Sequence, residues 1–311
     1  MTQFHNVNSI TTKDKISILE DNLKGFLDWS FLNIGGFVNV NIPTSGITGV
    51  VGFHSLQKSP DPTVNGNKLW ESQRKDWVYE SGISYSGMSP IRFSGLYLNG
   101  TFLSGPSGSG NYGYSVNYPL GQVLFDNAVS STSKVSASYS YRYVQVYKAS
   151  DSFWWKELQK DTYNPANYKP NGDFSISSIH RIQMPCVMIE LSPRVELKPY
   201  QLGTTQNIWK QEIFLHIFAQ TASQRNILLD ILLAQKDKVL YLYDSNKVAQ
   251  NQVYSLNKYG NINPSGYKYP DLTTNFRHSW CTISNSSVGE INSLSNSLYN
   301  AIMKWSIEIF P

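Results

Sequence analysis

The stretch Glu212-Ile-Phe-Leu-His-Ile-Phe-Ala-Gln-Thr-Ala-Ser-Gln-Arg-Asn-Ile-Leu-Leu-Asp-Ile-Leu-Leu233 changes its hydrophobic period midway, and that change decides the fold class. Up to Ala219 the pattern has period two. Ile213, Leu215 and Ile217 fall on one face of a strand that spans Ile208 to Ala219, and Phe214, His216 and Phe218 fall on the other. After Gln220 the spacing becomes three and four: Leu228, Ile231 and Leu232, with Ile227 beside them, form the stripe of a helix that runs to about Lys236. Between the two, Thr221-Ala-Ser-Gln224 has the capping-box pattern, in which the side chains at N-cap and N3 satisfy free backbone donors. A further strand, Val239-Leu-Tyr-Leu-Tyr243, follows and ends at Asp244-Ser-Asn246. Strand, helix and strand in one run read as an α+β sheet domain.

Working outward, the C-terminal segment has the plainest strand pattern. Tyr299, Ala301, Met303, Trp305, Ile307 and Ile309 alternate with Asn300, Lys304, Ser306 and Glu308, so one face is dry and one is wet. That is an antiparallel member of a half-covered sheet. Cys186 to Leu191 lies in the apolar run Met184-Pro-Cys-Val-Met-Ile-Glu-Leu191 and reads as a buried strand. At the other end, Ile16, Leu19, Leu23, Phe26, Leu27, Phe31 and Ile34 form a helical stripe, with Thr11 or Thr12 to cap it and Gly35-Gly36 to stop it. Phe37 to Ile42 alternates as one strand, and residues 43–68, rich in Gly, Pro, Ser and Asn, read as a long loop. Trp70 to Tyr85 alternates only raggedly.

From residue 88 to about 148 the signal is strongly β. Asn99-Gly100 is a hairpin-turn dipeptide, Ser104-Gly-Pro-Ser-Gly-Ser-Gly110 a Gly/Ser tip expected to be mobile and exposed, and Pro119-Leu-Gly121 a turn between Tyr114–Tyr118 and Val123–Phe125. Val135, Ala137, Tyr139, Tyr141 and Tyr143 share one face of a long strand, with Ser136, Ser138, Ser140 and Arg142 on the other. Val144 and Val146 then swap phase, which suggests a bulge or a strand passing from one sheet to another. The expected fold class is therefore α+β: a mixed, mostly antiparallel sheet with flanking helices, plus an inserted all-β sandwich or barrel. Residues 1–84 and 170–311 form the core, 85–150 the β insertion and 151–180 an aromatic link.

Composition limits the function classes. Of 311 residues, 41% are hydrophobic and only 15% charged, against roughly 25% charged in an ordinary soluble domain. Aromatics reach 14%, with 20 Tyr and 8 Trp, so Ser, Asn, Thr, Gln and Tyr must carry the surface. Subunit interfaces have this character, and so do glycan-binding surfaces. A net charge of +4, scattered along the chain, offers no clustered phosphate contacts for nucleic acid. Two Cys exclude a disulfide framework; a single Cys186–Cys281 bridge is open to the sequence, and a reducing compartment is the simpler reading. Neither a signal peptide nor an apolar run long enough to span a membrane is read, so no membrane partner is expected.

Motifs that carry chemistry are scarce in this sequence. Ser107-Gly-Ser-Gly110 has glycines without a following helix, and no phosphate cradle or nucleophile elbow occurs. Among His5, His54, His180, His216 and His278 none has ligand-spaced partners; His216 shares a strand face with Glu212, and His278 stands three residues before Cys281. Asp151, Glu157, Asp161 and Asp173 lie beside aromatic residues, but no pattern pairs two of them as glycoside hydrolysis requires. The sequence therefore assigns no catalytic, cofactor or metal residues. Trp154, Trp155, Tyr163 and Tyr168 are its candidate subunit-interface residues.

Two stretches resemble virion proteins of tailed bacteriophages. Tyr114-Ser-Val-Asn-Tyr-Pro-Leu-Gly-Gln-Val-Leu-Phe125, followed by Val135-Ser-Ala-Ser-Tyr-Ser-Tyr-Arg-Tyr-Val-Gln-Val-Tyr147, looks like a tyrosine-rich β module of phage tail and neck subunits. Glu212 to Leu233 is similar to the strand–helix unit of tail-terminator and head–tail joining proteins. Together they cover about half of the chain, and the length, the N-terminal helix and the β insertion depart from the small tail terminators. The resemblance implies a non-enzymatic neck or tail-end subunit assembled in the host cytoplasm into the virion. It implies a ring of copies, six being the expected number, in contact with neck, portal or tail-tube and sheath proteins. DNA is then only passing cargo, and no cofactor is needed. The composition keeps a glycan-binding tail fibre or baseplate accessory protein as the alternative, with a hydrolase working from the 151–173 acids behind it.

Overall fold

Glycine ends the first helix as its position suggests. The computed structural model describes residues 15–42, 52–59, 64, 66–103, 112–152, 182–201, 206–295 and 298–311. Helix α1 (Lys15–Asn33) closes in a Schellman motif: Gly36 N donates to Phe31 O (2.8 Å), Gly35 N donates to Leu32 O (3.1 Å), and Gly35 takes φ +85°. Leu19, Leu23, Phe26, Leu27 and Phe31 are buried as the stripe requires, whereas Ile34, past the helix end, is exposed. The expected caps Thr11 and Thr12 lie outside the described residues.

The chain is mixed α+β with mostly antiparallel sheets and few helices. Its contacts divide it into two compact units, one of Met1–Asp28, Val146–Val253 and Tyr269–Pro311, the other of Trp29–Gln145 and Tyr254–Lys268. These boundaries differ from the expected ones. Residues 29–84 cluster with the β-rich segment rather than with the C-terminal sheet. The reason is strand pairing: the segment read as a long loop contains β2 (Ser55–Lys58), which pairs with β3 (Leu69–Glu71) and with β8 (Val135–Ala137).

In the β-rich unit, β4 (Leu96–Leu98), β5 (Thr101–Leu103), β6 (Tyr114–Asn117) and β7 (Gln122–Phe125) complete a seven-stranded sheet of order β5-β4-β8-β2-β3-β7-β6. Asn99 and Gly100 both have positive φ, the two-residue hairpin turn that the dipeptide favours. The long strand expected over 135–143 is broken at Ser138: β9 (Tyr139–Arg142) leaves the seven-stranded sheet and pairs with β1 (Phe37–Val40), so a change of sheet already occurs before the Val144–Val146 phase swap. Trp77 is fully buried and stacks on Tyr139 (4.3 Å between centroids) and Phe93 (5.4 Å). Ser140 and Arg142, on the polar face of the alternation, are buried too. Each is satisfied there: Ser140 Oγ donates to Asn39 Oδ1 (2.6 Å), and Arg142 pairs with the buried Glu80 and with Asp76.

The other unit holds a six-stranded sheet of order β10-β11-β12-β15-β14-β13. Its strands are β10 (Gln145–Lys148), β11 (Cys186–Pro199), β12 (Asn207–Ala219), β13 (Val239–Tyr243), β14 (Arg277–Ser295) and β15 (Leu298–Phe310). The alternation read in β12 and β15 holds: Ile213, Leu215, Ile217, Ala301, Met303, Trp305, Ile307 and Ile309 are buried on one face. Tyr299, expected among them, is only half-buried. Helix α2 (Ala222–Leu233) starts with Thr221 Oγ1 accepting from Gln224 N and covers this face with Leu228, Leu229 and Leu232. Ile227, read as part of its stripe, is exposed instead, because the buried stripe is turned one residue towards Leu229. Asp244 does not merely end β13; it caps a short helix α3 (Ser245–Gln250). Helix α4 (Tyr269–Asn275) packs on β13 and β14, and a Cβ at Gly25 of α1 would lie 2.6 Å from the Tyr269 ring.

The sheet curls about α1. Asp21 accepts from Lys148 of β10 (2.8 Å), while the next residue, Asn22, exchanges hydrogen bonds with the Tyr243 backbone of β13. Adjacent residues on one helix thus reach both outer strands of the sheet, which a flat sheet would hold more than 20 Å apart at about 4.8 Å per strand.

Candidate subunit interface

Of the interface candidates named from sequence, Trp154, Trp155, Tyr163 and Tyr168 all lie outside the described residues, as do Glu157, Asp161, Asp173, His5 and His180. Asp151 is described and is committed to an ion pair with Lys148 (2.7 Å), which Asp21 also contacts. Burial by itself would lower the Lys148 pKa, but the two carboxylates outweigh it and hold the ammonium above its ordinary value.

The remaining titratable candidates are placed structurally. His216 bonds to Glu190 (2.7 Å) rather than to Glu212, because Glu190 lies one strand over on the same face; Glu212 pairs with Lys304 (2.6 Å). Burial lowers the His278 pKa, with Asp244 opposing it. Cys186 and Cys281 are free, buried thiols on β11 and β14, with two strands between them in the sheet order, so the bridge left open by the sequence is not formed. Burial pushes both thiols up to about 12. Among the described residues no group of three or more His, Cys, Asp or Glu could hold a metal ion. No helix among them is long and apolar enough to cross a membrane.

The conspicuous surface of this unit is the pair of sheet margins. Strand β11 is longer than its outer partner: β10 covers its start, where Ala149 N donates to Ile189 O, and among the described residues nothing pairs with the outer side of Val195–Pro199. Likewise, among the described residues β13 pairs with Arg277–Thr282 of β14, with Ile283 bonded to Asp237 and Lys238, and α2 reaches the far end through Arg225, which donates to Asn292 O (3.0 Å). The uncovered stretches carry Leu197 at 55% exposure and Ile291 at 53%. Both side chains belong to the helix-bearing face, since Leu197 stands opposite Trp209 and Ile309 in one row and Ile291 opposite Ala301 in another. On the reverse face the β14 and β15 ends carry Trp280 stacked on Phe310 (3.9 Å), with Arg277 over Tyr241.

Sequence reading missed these residues for two reasons. β14 was not read as a strand, because extra residues between Ile283 and Asn285, Val288 and Glu290, and Ser293 and Ser295 break its period three times. β11 was read only to Leu191, since the irregularity between Leu191 and Val195 interrupts it in the same way. Compared with known protein families and with curated protein sequences, the chain matches none.

Proposed function

We propose that this chain is a non-enzymatic structural subunit of a tailed-phage virion, with a tail-terminator-like core, forming a ring in the neck or at the tail end that joins head and tail. The observation that carries the reading is the long-stranded sheet, whose β11 and β14 run on past the described strands that flank them. Four of its strands run for 13 to 19 residues, against a usual five or six, and outrun the helices that cover them. Exposed strand edges with aliphatic side chains are a liability in a lone globule and a resource in a subunit. Its partners are copies of itself, six in the expected ring, together with adjacent neck, portal or tail-tube and sheath proteins; DNA passes through without specific contacts. Function is then geometric, with heterologous contacts closing around a channel.

Negative-stain images of the purified chain, alone and mixed with a portal or tail-tube partner, test this reading. Closed rings are expected. A protein that stays monomeric with every partner and is missing from virions overturns it.

A further inference from the structure

We infer that the Tyr254–Lys268 loop is a strap that closes the β6 edge of the seven-stranded sheet, so that strand addition there is blocked until the loop lifts. The inference goes beyond the ring reading above and does not rest on it. Strand β6 ends the order of its sheet, with β7 on its inner side. Across the β6–β7 hairpin Asp126 N donates to Gly113 O. By alternation Ser115 and Asn117 bond to β7, and Val116 and Tyr118 point their N–H groups outward. Those outward donors are the ones an added strand would take. The loop takes both: Asn261 Oδ1 accepts from Val116 N (3.1 Å), and Gly260 O accepts from Tyr118 N (3.0 Å).

The loop is a preformed piece. Its ends meet in a Tyr254–Tyr267 bridge, and Leu256 pairs with Ile262 farther out. Asn257 Oδ1 accepts from Tyr259 N (2.9 Å) and Asn261 N (3.1 Å), and Asn257 N donates to Asn261 O (2.9 Å), which fixes the accepting residues. Asn263 staples the base, donating from N to Ser255 O and from Nδ2 to Tyr254 O, both at 2.9 Å. A compact loop with joined ends and its own internal bonds can lift as one piece. Two features hold it down. Leu256 packs against the core of the β-rich unit. Gly260, at φ +75°, brings the loop so close that a Cβ there would lie 2.5 Å from Asn117 Oδ1 and 3.1 Å from Pro119. The strap itself presents no strand edge, since a carbonyl and a side-chain amide of adjacent residues replace the alternate carbonyls of a strand. On its outer side Lys258 lies over the exposed Tyr259 ring (4.9 Å), a charge of the kind that discourages pairing at sheet edges. With the strap lifted, β6 of a second copy is the strand that takes its place, two copies of one edge pairing antiparallel about a twofold axis.

Backbone amide exchange followed by NMR, together with sedimentation velocity, tests the strap in the full chain. Gly260→Val sets a side chain against Asn117 in a backbone region that valine disfavours. It is expected to speed exchange at Val116 and Tyr118 on the order of tenfold, to leave Ser115 and Asn117 as in the parent, and to add a self-associated species that the parent lacks at the same concentration. Asn261→Ala removes the Val116 acceptor and is expected to speed Val116 more than Tyr118; it carries the test if the valine variant fails to fold. Parent-like exchange at Val116 and Tyr118 in both variants overturns the strap. Faster exchange without the added species overturns its control of strand addition. Either failure leaves the ring reading standing, and a parent that forms no ring overturns that reading without touching this one.

Discussion

Asn22 offers the sharpest test of how the six-stranded sheet is held around α1. Its side chain is 1% exposed, its Nδ2 donates to Tyr243 O (2.9 Å) and Ile18 O (2.8 Å), and its Oδ1 accepts from Tyr243 N (2.8 Å). The amide thus stands in for a neighbouring strand at the margin of β13. Asn22→Leu takes the amide away from the buried Tyr243 N–H and C=O, at about 1–3 kcal/mol each, for a loss on the order of 2–6 kcal/mol. Asn22→Asp is more telling. It keeps the acceptor for Tyr243 N but sets a buried carboxylate against two carbonyl oxygens, so its folded-state pKa must rise above the ordinary value of about 3.9. A raised acid pKa means that stability is retained below the unfolded value and lost as pH rises through the folded one. Urea unfolding followed by tryptophan fluorescence should therefore show Asn22→Asp with a deficit on the order of 3 kcal/mol at pH 7 that shrinks towards pH 4, each relative to the parent protein at the same pH. An Asn22→Asp variant within about 0.5 kcal/mol of the parent at pH 7, or a deficit that does not change with pH, would refute the reasoning.

Three further outcomes are expected. Glu80→Gln removes the buried carboxylate charge beside the buried Arg142 guanidinium and should cost about 3 kcal/mol by urea midpoint, while Glu80→Leu with Arg142→Met should recover most of it. With thiols pushed up to about 12, only about one part in ten thousand of Cys186 or Cys281 is thiolate at pH 8. Ellman's reagent should therefore find no fast thiol until denaturant is added, and a prompt reaction in the folded protein contradicts that placement. Gly100 sits at φ +86° with open space around a Cβ, so Gly100→Ala should lower stability by about 1 kcal/mol through backbone strain alone, read as a shift in thermal midpoint.

What was legible in the sequence follows from what each segment buries. β12, α2 and β15 face a dry core on one side and solvent or polar neighbours on the other, so their periods survive in the chain and could be read. So could the Gly35-Gly36 stop and the Asn99-Gly100 turn, where backbone conformation dictates residue type. The burial of Ser140 and Arg142 was not legible from their polarity, because only tertiary structure supplies Asn39, Glu80 and Asp76 to satisfy them. The long β14 was invisible because its bulges shift the phase, and because Ser and Asn at its exposed end resemble a loop. The margin residues Leu197, Lys198, Glu290 and Ile291 could not be found at all without strand order, which places residues roughly a hundred positions apart at two sides of one sheet. Trp154, Trp155, Tyr163 and Tyr168 lie outside the described residues, and their interface role continues to rest on sequence.

An electron cryomicroscopy map of the full chain assembled at high concentration tests the central claim most directly. The expected map shows copies of the chain closed into a ring around an open channel. A discrete monomer whose margins stay bare, with ionisable groups converging in an enclosed cavity, contradicts it.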